Sequence, residues 1–174
     1  MAFNINVFNS CKFLAIRASR YDQSNNPVTS ADLVISNIDP TISGSYTAAL
    51  AYDSTTGKGN INIPTSNLSS SNGAFKICVV ENGIEVACKP ILLKCDIDCC
   101  LVKLTDELVD CSCDCPRCAK TMAKAQKVFL LLQSAQSAVE IASTDVNNTG
   151  YYKDILAKYN KAKEICDNSC GCDC

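Results

Sequence analysis

A chain of 174 residues with a net charge of −2 and 47% hydrophobic residues has room for one domain or two small ones. That composition argues against disorder and against a basic nucleic-acid footprint. There is no histidine and no tryptophan, so His-based triads and dyads are excluded. No apolar run approaches the roughly 18 residues needed to span a bilayer.

The first residues, Met1 to Phe8, alternate apolar and polar like a strand and lack the basic start and apolar block of a signal peptide. The expectation is a chain made and kept in a cytoplasm, where thiols stay reduced. In that setting 14 cysteines are metal ligands or buried thiols more often than disulfides.

Residues 1 to 94 read as β. Phe3, Ile5 and Val7 alternate with polar partners, and Phe13 to Ile16 is a fuller apolar run. Leu33 to Ile35, Tyr46 to Tyr52 and Asn60 to Ile63 are further strands, separated by Asn25-Asn26-Pro27 and Asp53 to Gly57 as turn signals. The last two runs, Phe75 to Glu81 and Ile84 to Leu92, flank Asn82-Gly83, a preferred pair for a two-residue type I′ hairpin turn. Regular pairing outward from that turn sets Val79 against Val86, Ile77 against Cys88 and Cys78 against Ala87. Strand alternation then sends Cys78 and Cys88 to opposite faces, so no disulfide between them is expected. The expected core face is Phe75, Ile77, Val79, Ile84, Val86 and Cys88. Cys88 and Cys11 read as buried thiols. About seven short strands at this spacing predict an immunoglobulin-like sandwich.

From residue 95 the periodicity becomes helical. Ile97, Leu101, Leu104 and Leu108 mark a first helix that Asp96 or Asp98 would cap. Pro116 suits the first turn of a second helix, whose apolar face is Val128, Leu131, Leu132, Ala135, Ala138, Val139 and Ala142. Phe129 and Leu130 lie off that face, as part of a wide core stripe or as a contact with another subunit. Asn147 to Gly150 breaks the helix, and Tyr152, Ile155, Leu156, Tyr159, Ala162 and Cys166 align on a third. The fold class expected is therefore α+β: an immunoglobulin-like β-sandwich over 1–94, then a cysteine-stapled three-helix bundle over 95–174.

Two cysteine clusters should meet at one pole of this up-down-up bundle, because the third helix returns to where the second began. They are Cys111, Cys113, Cys115 and Cys118, and Cys166, Cys170, Cys172 and Cys174. Eight thiolates suit two tetrahedral structural zinc sites, and in a chain without histidine a thiolate-rich site favours zinc or iron–sulfur. The same residues could instead form disulfides at that pole if the protein meets an oxidising medium. Either linkage staples a helical unit whose own core is modest. Cys95, Cys99 and Cys100 start the first helix, about 22 Å from the clusters at ~1.5 Å per residue. They read as packing or disulfide residues, or as a third metal site.

Catalysis finds little support. Cys115 at a helix N-terminus would have a stabilised thiolate, but Cys115-Pro116-Arg117-Cys118 does not follow the strand of a thioredoxin-like unit. Residues 95–174 carry 9 basic against 12 acidic side chains, which opposes nucleic-acid binding, and Lys120, Lys124 and Lys127 read as a solvated helix face. No small-molecule substrate and no membrane are implied. The sequons at Asn67 and Asn147 read as chance. What remains is a binding or assembly module.

The run Cys99-Cys100-Leu101, then Cys111 to Cys118, then Val128-Phe129-Leu130-Leu131-Leu132-Gln133, resembles the cysteine-rich helical segment of virion proteins. These are encoded among the neck and tail genes of phages infecting Bacteroidetes, the crAss-like group included. The resemblance covers residues 95 to 174 and carries over no binding residues. It implies a multi-copy ring, collar or tail subunit of a virion, made in the host cytoplasm, that binds like subunits and neighbouring virion proteins. The alternative is an intracellular zinc-binding adaptor or regulator with one protein partner.

Overall fold

A computed structural model describes residues 3–9, 11–20, 24, 27–28, 30–39, 41–70, 72–109 and 116–168. The architecture is α+β, with seven strands followed by three helices. The strands are β1 (Phe3–Asn9), β2 (Phe13–Arg20), β3 (Ser30–Asn37), β4 (Ser45–Ala51), β5 (Lys58–Pro64), β6 (Gly73–Glu81) and β7 (Ile84–Leu93). The helices are α1 (Cys95–Val109), α2 (Pro116–Ala142) and α3 (Thr149–Asp167). The chain divides into two compact units, one of residues 1–71 and 75–93, the other of residues 72–74 and 94–174.

In the β unit the strands form a three-stranded sheet, β1-β2-β5, and a four-stranded sheet, β4-β3-β6-β7. Antiparallel registers are regular where Ile16 pairs with Val7 and Ile61, and where Val34 pairs with Thr47 and Cys78. One buried cluster draws on both sheets: Ile5, Leu14, Ile16 and Ile63 from the first, Leu33, Ile35, Leu50, Phe75, Ile77 and Val79 from the second. The period-2 pattern that predicted the strands is the one that fills this core, since every second side chain points inward. Arg20 lies within the β unit, at the end of β2, with its side chain only 4% exposed. Its Nε and Nη2 donate to Oε1 and Oε2 of Glu81 at 2.8 and 2.9 Å, a forked pair joining one sheet to the other.

Asn82 and Gly83 have φ of +52° and +80°, so the hairpin turn takes the left-handed conformations that its sequence implies. The strands beyond it depart from regular pairing. The Cα atoms of Cys78 and Cys88 are 4.0 Å apart and their sulfurs are bonded. Regular counting from the turn puts Ala87, not Cys88, opposite Cys78. Val86 packs against the core, and so do Ile91 and Leu93, which have the same inward role at opposite parity. Both observations fit one extra residue on β7 around Ala87-Cys88, the two-against-one count of a β-bulge. The bulge rotates Cys88 off the core and onto the outer face beside Cys78. It overturns the reading of Cys88 as a buried core thiol and of the pair as unbridged. Ile84 is 67% exposed, so the expected core face also fails beside the turn. Pro90 is tolerated because β7 is the terminal strand of its sheet.

In the helical unit Asn72 Oδ1 accepts from the Asp96 backbone N–H at 3.2 Å and Asp96 Oδ1 accepts from the Ile97 N–H at 2.8 Å, so Asp96 shares the start of α1 with a residue of the preceding segment. Asp98 instead pairs with Lys94 at 2.6 Å. The buried stripe of α1 is Ile97, Cys100 and Leu104, with Cys100 taking the place expected of Leu101. Pro116 opens α2, and Val128, Leu132, Ala135, Ala138, Val139 and Ala142 are buried along it. Asn148 caps α3 by accepting from Gly150 N at 3.0 Å, and Tyr152, Ile155, Tyr159, Ala162 and Cys166 form its buried face.

Candidate functional site

The chemistry-bearing residues of this chain are cysteines, and the structure distributes them differently from the sequence expectation. Of the eight proposed ligands, Cys111, Cys113, Cys115, Cys170, Cys172 and Cys174 lie outside the described residues. Cys118 and Cys166 are described, and both are disulfide-bonded. Cys166 is bonded to Cys100, with 5.9 Å between the Cα atoms.

The expectation that Cys166 belongs to a tail cluster at the start of the second helix is corrected by helix length. At ~1.5 Å per residue, the 27 residues of α2 span about 40 Å and the 19 of α3 about 28 Å. The end of α3 falls beside the third and fourth turns of α2: Ala123, Lys124 and Lys127 line one groove with Lys161, Glu164, Ile165 and Asn168. The first turns of α2 run past it. What lies level with Cys166 is the second turn of α1, where Cys100 is 0% exposed.

The same α1–α3 contact carries a polar clamp. Tyr159 Oη donates to the Asp96 carboxylate at 3.2 Å, and Lys163 Nζ lies 3.5 Å from Asp96 and 3.3 Å from Asp167. Burial first, and then the Asp96 charge, push the Tyr159 hydroxyl pKa above its ordinary value. Burial alone would lower the Lys163 pKa; the bonds to Asp167 and Asp96 outweigh it and hold the ammonium above its usual range. The clamp and the disulfide together fix how α1 lies on α3.

The second centre is on the outer face of the hairpin. Ligand atoms of Cys78, Glu85 and Cys88 all lie within 4.8 Å of one another. Cys88 Sγ is 3.4 Å from Glu85 Oε2, and the same carboxylate oxygen accepts from Lys76 Nζ at 2.8 Å. Cys78 is buried, Cys88 half-buried and Glu85 exposed. A Cys₂Glu set of this kind can hold a metal when the sulfurs are thiolates; in the disulfide form it cannot, because neither sulfur then carries a charge to donate.

Glu85 carries no motif signal. The trace that would have found the group is the parity break between Val86 and Ile91-Leu93, which marks the bulge. Cys11, read as a buried thiol, is exposed, disulfide-bonded and in a left-handed conformation (φ +66°). Cys95 and Cys99, at the start of α1, are also disulfide-bonded. A third polar locus is Tyr52, whose buried hydroxyl has no hydrogen-bond partner among the described residues. Desolvation, with the Glu81 charge adding to it, pushes its pKa up to about 12.

No protein-family model matches the chain, and no curated protein matches it. Among the described residues no helix is long and apolar enough to cross a membrane.

Proposed function

We propose that this chain is a virion structural protein, a multi-copy ring, collar or tail subunit of a phage. In this reading the β unit is an immunoglobulin-like sandwich and the helical unit a disulfide-stapled three-helix bundle. The strand order supports the first part. Naming the strands A, B, C, C′, E, F and G in sequence gives A-B-E against C′-C-F-G, the immunoglobulin arrangement with its fourth strand moved to the second sheet.

The observation that carries the assembly reading is the outward face of α2. Phe129 is 51% and Leu130 62% exposed at the middle of the helix, with Met122 and Ile141 also exposed. Large apolar side chains grouped on one face of a long helix mark a contact with another protein. The wide-core-stripe explanation of Phe129 and Leu130 is thereby disfavoured. In a ring the contact is head-to-tail, so this row would meet a different patch on the next copy. A chain without histidine also lacks the usual general base, which suits a role without catalysis. The resemblance of residues 95–174 to phage neck and tail proteins directs the reading to a virion.

The test is composition and imaging of intact particles from an infected host. The expected result is this chain in many copies, as a ring density into which the two units fit. Its absence from purified particles would remove the proposal. A second reading, an intracellular zinc-binding adaptor, draws on the Cys78–Glu85–Cys88 group. It predicts stoichiometric capture of one host protein in place of particle incorporation.

A further inference from the structure

We infer that the Cys78–Cys88 bridge is a redox gate on a site for a soft divalent cation, with Cys78, Cys88 and Glu85 as its three protein ligands. The inference concerns the hairpin alone and holds or fails independently of the virion reading.

The geometry is close to what such an ion needs. Two ligands at ~2.3 Å from a tetrahedral zinc are roughly 3.8 Å apart, and the three ligand atoms here already lie within 4.8 Å of one another. No backbone rearrangement is needed to keep them so once the bridge opens. Cys78 is held by β6, which pairs with β3 through Val34, and Cys88 by the bulge on a strand tied to β6 by the Asn82-Gly83 turn. The ligand set is chemically selective: two thiolates and one carboxylate favour zinc over magnesium or calcium. A zinc ion with two thiolates and one carboxylate has a net charge of −1. The Lys76 ammonium, 2.8 Å from Glu85 Oε2, is in place to balance it. The three protein ligands leave a fourth position for water, as in open zinc sites.

Opening the gate is a two-electron exchange with a dithiol reductant. A thiolate of the reductant attacks the Cys88 sulfur, the more exposed of the two and on the terminal strand of its sheet, and the Cys78 sulfur leaves as thiolate. The second reductant thiol then attacks the mixed disulfide. The dithiol leaves as its own disulfide, and Cys78 and Cys88 are left as two thiols. Zinc binding displaces their two protons. Reoxidation reverses the sequence and expels the ion, because a disulfide sulfur has no charge to hold it.

The experiment is native mass spectrometry of the full chain with Zn²⁺, before and after treatment with dithiothreitol. It is run on wild type, on the double variant Cys78→Ser/Cys88→Ser and on Glu85→Gln. Reduction exposes other thiols in all three proteins, so the readout is the difference between them. The expected result is one more zinc per chain in reduced wild type than in the reduced double variant, and no difference before reduction. Glu85→Gln, an exposed substitution that leaves the hairpin backbone intact, is expected to weaken that one zinc at least tenfold. Equal zinc in reduced wild type and double variant overturns the inference. So does a difference already present before reduction, or an unchanged affinity in Glu85→Gln.

Discussion

Arg20 shows how one side chain constrains the β unit. Its guanidinium is taken out of water and meets the Glu81 carboxylate through two bonds, so that carboxylate contributes directly to holding the charge inside the β unit. Replacing Glu81 with Gln keeps the shape and removes the charge. We expect a loss of about 2 kcal/mol, within the range for hydrogen bonds to a charged group, read as a shift in the urea midpoint. Tyr52, affected by both of these charges, gives a pH signature. Its folded pKa of about 12 lies above the ordinary ~10 of an unfolded tyrosine, so the folded state holds its proton longer. The stability this contributes is complete below pH ~10 and is lost as pH rises towards 12. Ultraviolet titration of the folded protein should show a late phase, above the ordinary tyrosine range, from Tyr52 and Tyr159. Phe replacement at either position should remove that residue's share of the late phase, and replacement at both should remove it altogether.

At the scale of elements, the Cys100–Cys166 bond closes a separation of 66 residues between α1 and α3. Chain-entropy reasoning gives such a loop about 4 kcal/mol, which is large beside the modest core of three short-range helices. The double substitution Cys100→Ala/Cys166→Ala should therefore lower the denaturation midpoint of the helical unit markedly. A change within the error of the wild-type midpoint would show that the Tyr159–Asp96–Lys163 clamp is sufficient alone. The existence and order of elements were legible in sequence, because alternation, the Asn82-Gly83 pair and Pro116 are local signals. The two cysteine bonds were not. Cys78–Cys88 depends on a bulge that shifts parity by one residue, and hairpin counting assumes none. Cys100–Cys166 depends on stagger: the Asn147–Gly150 break makes α3 shorter than α2, and the partner of Cys166 follows from that difference in length, not from which helix ends face one another.

At the scale of the molecule, the composition already argued against the His-based triads and dyads of catalysis and against nucleic-acid binding, and an assembly role was the remaining class. The structure adds a place where assembly can act. Phe129 and Leu130 were ambiguous in sequence because a helical wheel shows only that they leave the main apolar face, not whether another element covers them. Among the described residues they are at least half exposed, as are Met122 and Ile141 on the same helix. The most direct measurement is native mass spectrometry of the purified full chain across a concentration series, beside a Phe129→Ser/Leu130→Ser variant. The account predicts a multi-copy oligomer for wild type and monomer for the variant, with unchanged far-ultraviolet circular dichroism. A wild-type chain that stays monomeric at every concentration, or a variant that assembles as well as wild type, would contradict it.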